Sequence, residues 1–191
     1  MSDAPTTRQR LVELASAVFA EDGYAAVSVR DLAGRTDMTS GAIYGNFGSK
    51  AGLLLAAIDT QIYDELVQEP REGISEIADV LADIFGRYPD RERLRALLVE
   101  GAVAGRSDDE VRKRLLDDQS DRLDLWTDIY QTWQDRNEID AELDLRTVVT
   151  MLWALELGFG VLEAIGTTLP DPDSVADVTR RFVRGLATDQ D

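Results

Sequence analysis

Apolar residues in this chain return every three or four positions and nowhere alternate, a pattern that commits the sequence to helices. Leu11, Leu14, Ala15, Val18 and Phe19 form one stripe on a first helix, and Asp22-Gly23 ends it, with Gly23 suited to a left-handed cap. Ser28, followed three residues later by Asp31, has the form of a capping box for a short second helix with Val29, Leu32 and Ala33 on its inner face. Thr39 or Ser40 can cap a third helix that turns Ile43 and Phe47 inward, and Ser49 a fourth that starts at Lys50. Beyond Glu69 the spacing predicts longer helices near 74–88, 91–105, 108–136, 145–165 and 173–187, separated by breaks rich in Pro, Gly or Asp. The expectation is an all-α chain of about nine helices with no internal repeat.

Composition narrows the chemistry. The 191 residues include neither cysteine nor histidine, which removes disulfides, thiolate metal sites, a cysteine nucleophile and the commonest general base. No paired Asp/Glu constellation offers a carboxylate-based alternative, so neither an enzyme nor a metal or cofactor is expected. The N-terminus has no charged-then-apolar signal pattern. The longest apolar run, residues 147–166, is nearly long enough to span a bilayer, but Glu156 stands at its centre and Glu163 follows at helical spacing. A central carboxylate costs about 3 kcal/mol on insertion scales. A buried helix in a soluble, cytoplasmic protein with no membrane partner is therefore expected. The net charge of −17 is unevenly spread: residues 1–52 hold five basic and six acidic groups, the remainder 15 and 31. That asymmetry suggests two jobs on one chain.

The stretch "DMTSGAIYGNFGSK", residues 37–50, suits neither a core nor a loose loop. Three short helices with a four-residue turn between the second and third match a helix-turn-helix, whose third helix enters a groove of double-stranded DNA. Ile43 and Phe47 can anchor that helix on Phe19 and Leu32. Its outer face must fit a major groove about 12 Å wide, and Ser40, Gly41, Ala42 and Gly45 are small enough to let the backbone approach the bases. Asn46 and the Tyr44 hydroxyl can hydrogen-bond to phosphates or base edges. Lys50, in the first turn of the next helix, is placed to hold a phosphate together with that helix's free N–H groups.

Residues 7–54 resemble the N-terminal domain of the tetracycline-repressor (TetR) family of bacterial transcriptional regulators. The resemblance lies in the Phe-Ala-x-x-Gly-Tyr end of the first helix, the Ser-x-x-x-Leu-Ala second helix and the Ile-Tyr-x-x-Phe-x-Ser-Lys string. It implies a helix-turn-helix DNA-binding domain over residues 1–52 and a larger helical domain for ligand binding and dimerisation over 53–191. By the same resemblance Arg30, Ser40, Gly41 and Tyr44 lie at bases or nearby phosphates, and Ser28, Tyr44 and Lys50 lie against the backbone. Thr39 and Asn46 complete the DNA-contact set. The last two long helices would form a homodimer's four-helix interface, which requires a palindromic operator. A small-molecule effector would bind among the middle helices. Asp37 stands where the family commonly has a turn glycine and Asn46 where it often has histidine, so no relative's operator transfers to this chain.

In the second part, Trp126, Tyr130 and Trp133 follow one face of a long helix, as core or as a pocket wall, and Trp153 and Glu156 lie on the next. An acid within an apolar stripe must be paired, hydrogen-bonded or solvated. If Glu100 or Glu156 faces a cavity, a cationic or hydrogen-bond-donating ligand suits it. The arginines at 87, 91, 93 and 95, interleaved with Asp90 and Glu92, read as a solvated face. A rival assignment is a helical small-molecule-binding protein that no longer binds DNA, favoured by the acidic charge.

Overall fold

The structure, a computed structural model, describes residues 6–36, 38–66 and 77–185. Asp37 lies outside them, as do the start of the helix expected at 74–88 and the end of that expected at 173–187. The described residues form nine α-helices and no strand: α1 Thr7–Asp22, α2 Val29–Gly34, α3 Ser40–Phe47, α4 Lys50–Leu66, α5 Ile77–Gly86, α6 Glu92–Ala104, α7 Asp109–Gln134, α8 Leu145–Ala164 and α9 Pro172–Arg184. A 3₁₀ turn, Tyr88–Arg91, precedes α6. The all-α expectation holds, with boundaries within a few residues of those expected.

Local chemistry sets the early boundaries. Thr6 caps α1 in a reciprocal box with Gln9, and α1 stops at Gly23, where φ is +84°. Ser28 and Asp31 form the expected box on α2. Thr39, not Ser40, is the N-cap of α3, its hydroxyl accepting from the Ala42 N–H at 3.2 Å. The Ser49 hydroxyl accepts from the Gly52 N–H at 2.9 Å as α4 begins.

Two compact units divide the chain. The first joins residues 1–68 to 93–117 and so contains α1 to α4, α6 from Arg93, and the start of α7. Leu11, Ala15, Phe19, Leu32, Ile43, Leu53, Leu54, Ile58, Leu97 and Val111 are buried in it. At Gly101 an added Cβ would meet Leu115 at 3.1 Å and Ile58 at 3.2 Å, so a glycine is what lets α6 approach both α4 and α7.

The second unit takes residues 69–92 and 118–191. There α5 lies along α9, close enough that a Cβ on Gly86 would stand 3.0 Å from that of Ala176. Its core gathers Ile77, Leu81, Phe85, Tyr88, Tyr130, Ile139, Leu145, Val149, Val175 and Val183. A void of about 10 Å³ lined by Ile77, Leu81, Tyr130, Ile139, Val148, Leu152 and Val183 has room for roughly one water.

Two expectations need correction. The arginine run is a solvated face only at Arg93, which is exposed and pairs with the exposed Glu13: Arg95 is fully buried, Arg87 pairs with Asp83 at 2.8 Å, and Arg91 reaches Glu156 at 3.2 Å and the Ile84 carbonyl at 2.6 Å. Asp90 and Glu92 turn outward, while the long side chains of Arg87 and Arg91 find acceptors within the fold. Nor is α8 a buried helix. By length and composition it could cross a bilayer, and its central Glu156 is buried on Arg91, yet Met151, Leu155, Val161, Leu162 and Ile165 are exposed. An apolar run reads the same whether its cover comes from its own chain or from another.

Candidate nucleic-acid interface

Helix α3 is held from behind and bare in front. Ile43 is fully buried and Phe47 half-buried, with the Arg8 guanidinium 5.1 Å from the Phe47 ring centre. The opposite face exposes Gly41, Tyr44, Gly45 and Asn46, with Ser40 half-exposed at its start. A Cβ on Gly45 would meet nothing within 4 Å, and one on Gly41 only the Thr39 hydroxyl at 3.8 Å. Tyr44 is 52% exposed and therefore does not cover the core. Asn46 is exposed, and its amide donates to the Ala42 carbonyl at 2.8 Å.

At the flanks, Ser28 and Arg30 are exposed on α2. The Ser28 hydroxyl and backbone N–H donate to the Asp31 carboxylate at 2.5 and 2.9 Å, and these bonds, the hydroxyl's first, hold the pKa of that carboxyl below its ordinary value. Between α3 and α4 the chain turns at Gly48, with φ +73°, so tightly that a Cβ on Gly52 would fall 2.1 Å from the Phe47 carbonyl oxygen. That turn ends α3 and starts α4 at Lys50. The Lys50 ammonium rests 4.1 Å from the centre of the Tyr24 ring, and lost hydration lowers its pKa while the Glu100 carboxylate acts to raise it.

Acids surround this edge from α6 and α7, and periodicity gave no sign of them. Glu100 accepts the Tyr24 N–H at 2.6 Å. Both Glu110 carboxylate oxygens stand 3.4 Å from the Ser49 hydroxyl at the start of α4. The Tyr24 phenol is raised above its ordinary pKa by burial first, then by Asp108 and Glu110. These partners are 61 and 76 residues away in sequence, so no local signal could have found them.

The other ligand candidates lie in the second unit. Tyr130 is buried, its phenol pushed far up by burial, with Trp126 edge-on at 6.1 Å between ring centres. Trp133 packs on the same core with Arg136 5.4 Å from its ring centre, and Arg122 lies 4.5 Å from that of Trp153. Glu100, by contrast, belongs to the first unit. Both acids have protein partners, Glu156 in Arg91 and Glu100 in the Tyr24 N–H, so neither needs a cationic ligand for compensation.

Residues 11–57 match the family described as "Bacterial regulatory proteins, tetR family". The chain is similar to the HTH-type transcriptional regulator UidR of Escherichia coli strain K12, 26% identical over 98% of this chain and 96% of the relative. It is also similar to the HTH-type transcriptional repressor AcnR of Corynebacterium glutamicum, 28% identical over 95% of each. Its fold resembles that of the transcriptional regulator FadR from Bacillus subtilis, solved in complex with stearoyl-CoA, with a TM-score of 0.75 at 17% identity over 94% of this chain and 98% of that one. With a helix-turn-helix matched over residues 11–57 and regulators similar from end to end, the chain is similar to the TetR family of bacterial transcriptional regulators.

Proposed function

We propose that the protein is a ligand-responsive repressor that binds a palindromic operator as a homodimer. Residues 1–52 do the DNA binding, and residues 53–191 do the effector binding and dimerisation. Each subunit lays α3 in a major groove, with half-sites about 34–36 Å apart or a multiple of that spacing. The observation that carries this assignment is the pairing of a buried Ile43 with an outer face of Gly41, Tyr44, Gly45 and Asn46 that is left exposed among the described residues. Ser40, Gly41, Tyr44 and Arg30 meet bases or nearby phosphates. Ser28, Thr39, Asn46 and Lys50 set the register on the backbone.

Dimerisation through α8 and α9 is supported by their exposed apolar residues. On α8, Met151, Leu155 and Leu162 share a stripe with Gly158, whose added Cβ would meet nothing within 4 Å, and the exposed C-cap Ile165 continues it. The spacing of four and three along that stripe suits packing against a second helix pair. On α9, Val178 and Phe182 are exposed one turn apart. Effector binding among Trp126, Tyr130, Trp133 and Trp153 is supported by the apolar core that the first three of these share and by the FadR structure, which was solved in complex with stearoyl-CoA. An effector that favours release by 1–3 kcal/mol would lower operator affinity about 5–150-fold.

The test is a gel shift with the DNA flanking the gene, at low and moderate salt. A retarded complex that requires an inverted repeat supports the proposal. Equal, salt-labile binding to any duplex, or none, would favour a helical ligand-binding protein.

A further inference from the structure

The Lys50 ammonium does not stand alone. Its resting place is the face of Tyr24, and the Tyr24 backbone is tied by its N–H to the Glu100 carboxylate at 2.6 Å. A Cβ built on Gly23 would lie 3.6 to 3.8 Å from the atoms of that carboxylate, so Glu100 sits directly against the turn that ends α1. The Tyr24 ring also meets the ring of the buried Phe19, edge to face with centres 5.5 Å apart. The order of contacts therefore runs from α6 through the α1–α2 turn and an aromatic floor to the cation at the start of α4. Every member belongs to the first compact unit.

Resting on the phosphate-contact role given to Lys50 above, we propose that Glu100 is a positioning residue for DNA binding: it touches no DNA, but fixes the Tyr24 turn and ring on which Lys50 is poised. The physical ground is that a charge-assisted hydrogen bond to a part-buried backbone N–H is among the stronger single contacts a turn can have, and losing it leaves that donor unsatisfied. Electrostatics alone predicts the opposite sign, because removing a carboxylate near a phosphate-binding edge should strengthen binding to a polyanion.

The experiment uses the full chain, an operator duplex that the wild type binds, and anisotropy titrations over a salt series. Glu100→Ala and Glu100→Asp, the second keeping the charge but falling short of the N–H, should each weaken binding about tenfold. Glu100→Gln, which keeps an acceptor and loses the charge, should stay within about threefold of wild type. Combining Glu100→Ala with Lys50→Ala should cost no more than about twofold beyond Lys50→Ala alone, as coupling through one path requires. In the free protein, Tyr24 N–H exchange should quicken about tenfold or more in Glu100→Asp but not in Glu100→Gln, a readout that needs no DNA. Overturning results are tighter binding by both Glu100→Ala and Glu100→Gln, losses that multiply in the double variant, or unchanged Tyr24 exchange in Glu100→Asp. If Glu100→Ala does not fold, the Asp and Gln pair decides. A wild type that binds no duplex removes the DNA-contact role of Lys50 itself, and the exchange data would still report on the Glu100 tie.

Discussion

Gly52 offers the sharpest test of how the recognition helix is held. Replacing it with alanine would put a Cβ 2.1 Å from the Phe47 carbonyl oxygen and 3.2 Å from the Phe47 carbonyl carbon. Real Cβ atoms essentially never come within 3.0 Å of another heavy atom, so the two must separate by at least about 0.9 Å. The obstructing atom is backbone at the C-terminal end of α3, and it cannot swing aside as a side chain would. Overpacking of this kind costs about 1–3 kcal/mol, against a helix-propensity gain of at most about 1 kcal/mol for Gly→Ala. For a net loss of about 2 kcal/mol, a chain of this length should melt roughly 4–8 °C lower. Operator affinity should fall as well, because the strain is relieved by moving the end of α3. Gly45→Ala is the control: its Cβ meets nothing within 4 Å, so the variant should melt at or above the wild-type temperature while binding DNA more weakly through a methyl group on the groove face. Calorimetry and anisotropy read both quantities. A Gly52→Ala protein with wild-type melting temperature and affinity would refute the tight junction.

Lys50→Ala should weaken binding to every duplex and make the salt slope shallower by about one unit, whereas Arg30→Ala should relax preference at particular base pairs in a randomised operator library. Glu110→Gln should tighten operator binding about threefold at low salt, and less as salt is added, because it removes a carboxylate from beside the start of α4; unchanged binding would place Glu110 away from any phosphate. If the chain dimerises through α8 and α9 as proposed, Leu155→Glu, at a position 48% exposed on α8, should sediment as a monomer where the wild type sediments as a dimer, and a dimeric variant would move the interface elsewhere. Asp144, the N-cap of α8, is held below its ordinary pKa first by the Thr147 hydroxyl and then by its N–H. A lowered folded-state pKa means that its contribution is present above the unfolded value near 3.8 and drains as pH falls through the folded one. The margin by which wild type outmelts Asp144→Asn should therefore be constant from pH 5 upward and shrink in acid.

What the sequence made legible was whatever is decided within four residues. The caps at Ser28 and Ser49, the stop at Gly23 and the inward pair Ile43 and Phe47 all follow from local hydrogen bonding and helical period, and with them the helix-turn-helix. Between Thr39 and Ser40 as the cap of α3 the pattern left a choice, which a single hydroxyl-to-amide bond resolves. Contacts between distant segments were illegible. Arg95 has the composition of a surface residue and is fully buried, since nothing near it in sequence tells which side of α6 the rest of the first unit will cover. Glu100 looked like a candidate for a ligand pocket because it is an acid among apolar residues, yet its carboxylate is spent on a backbone amide 76 positions earlier. For α8, hydropathy measured how much apolar surface exists but not what covers it.

The unit that holds the recognition helix is assembled from two stretches of chain, with residues 69–92 running elsewhere between them. On the ribosome, then, its core stays open until Leu97 and Val111 have emerged, long after α3 itself has been made. The same interruption sets a rule for chimeras. A headpiece exchanged between relatives at residue 52 would leave its Tyr24 turn facing a stranger's α6, so residues 93–117 should travel with it.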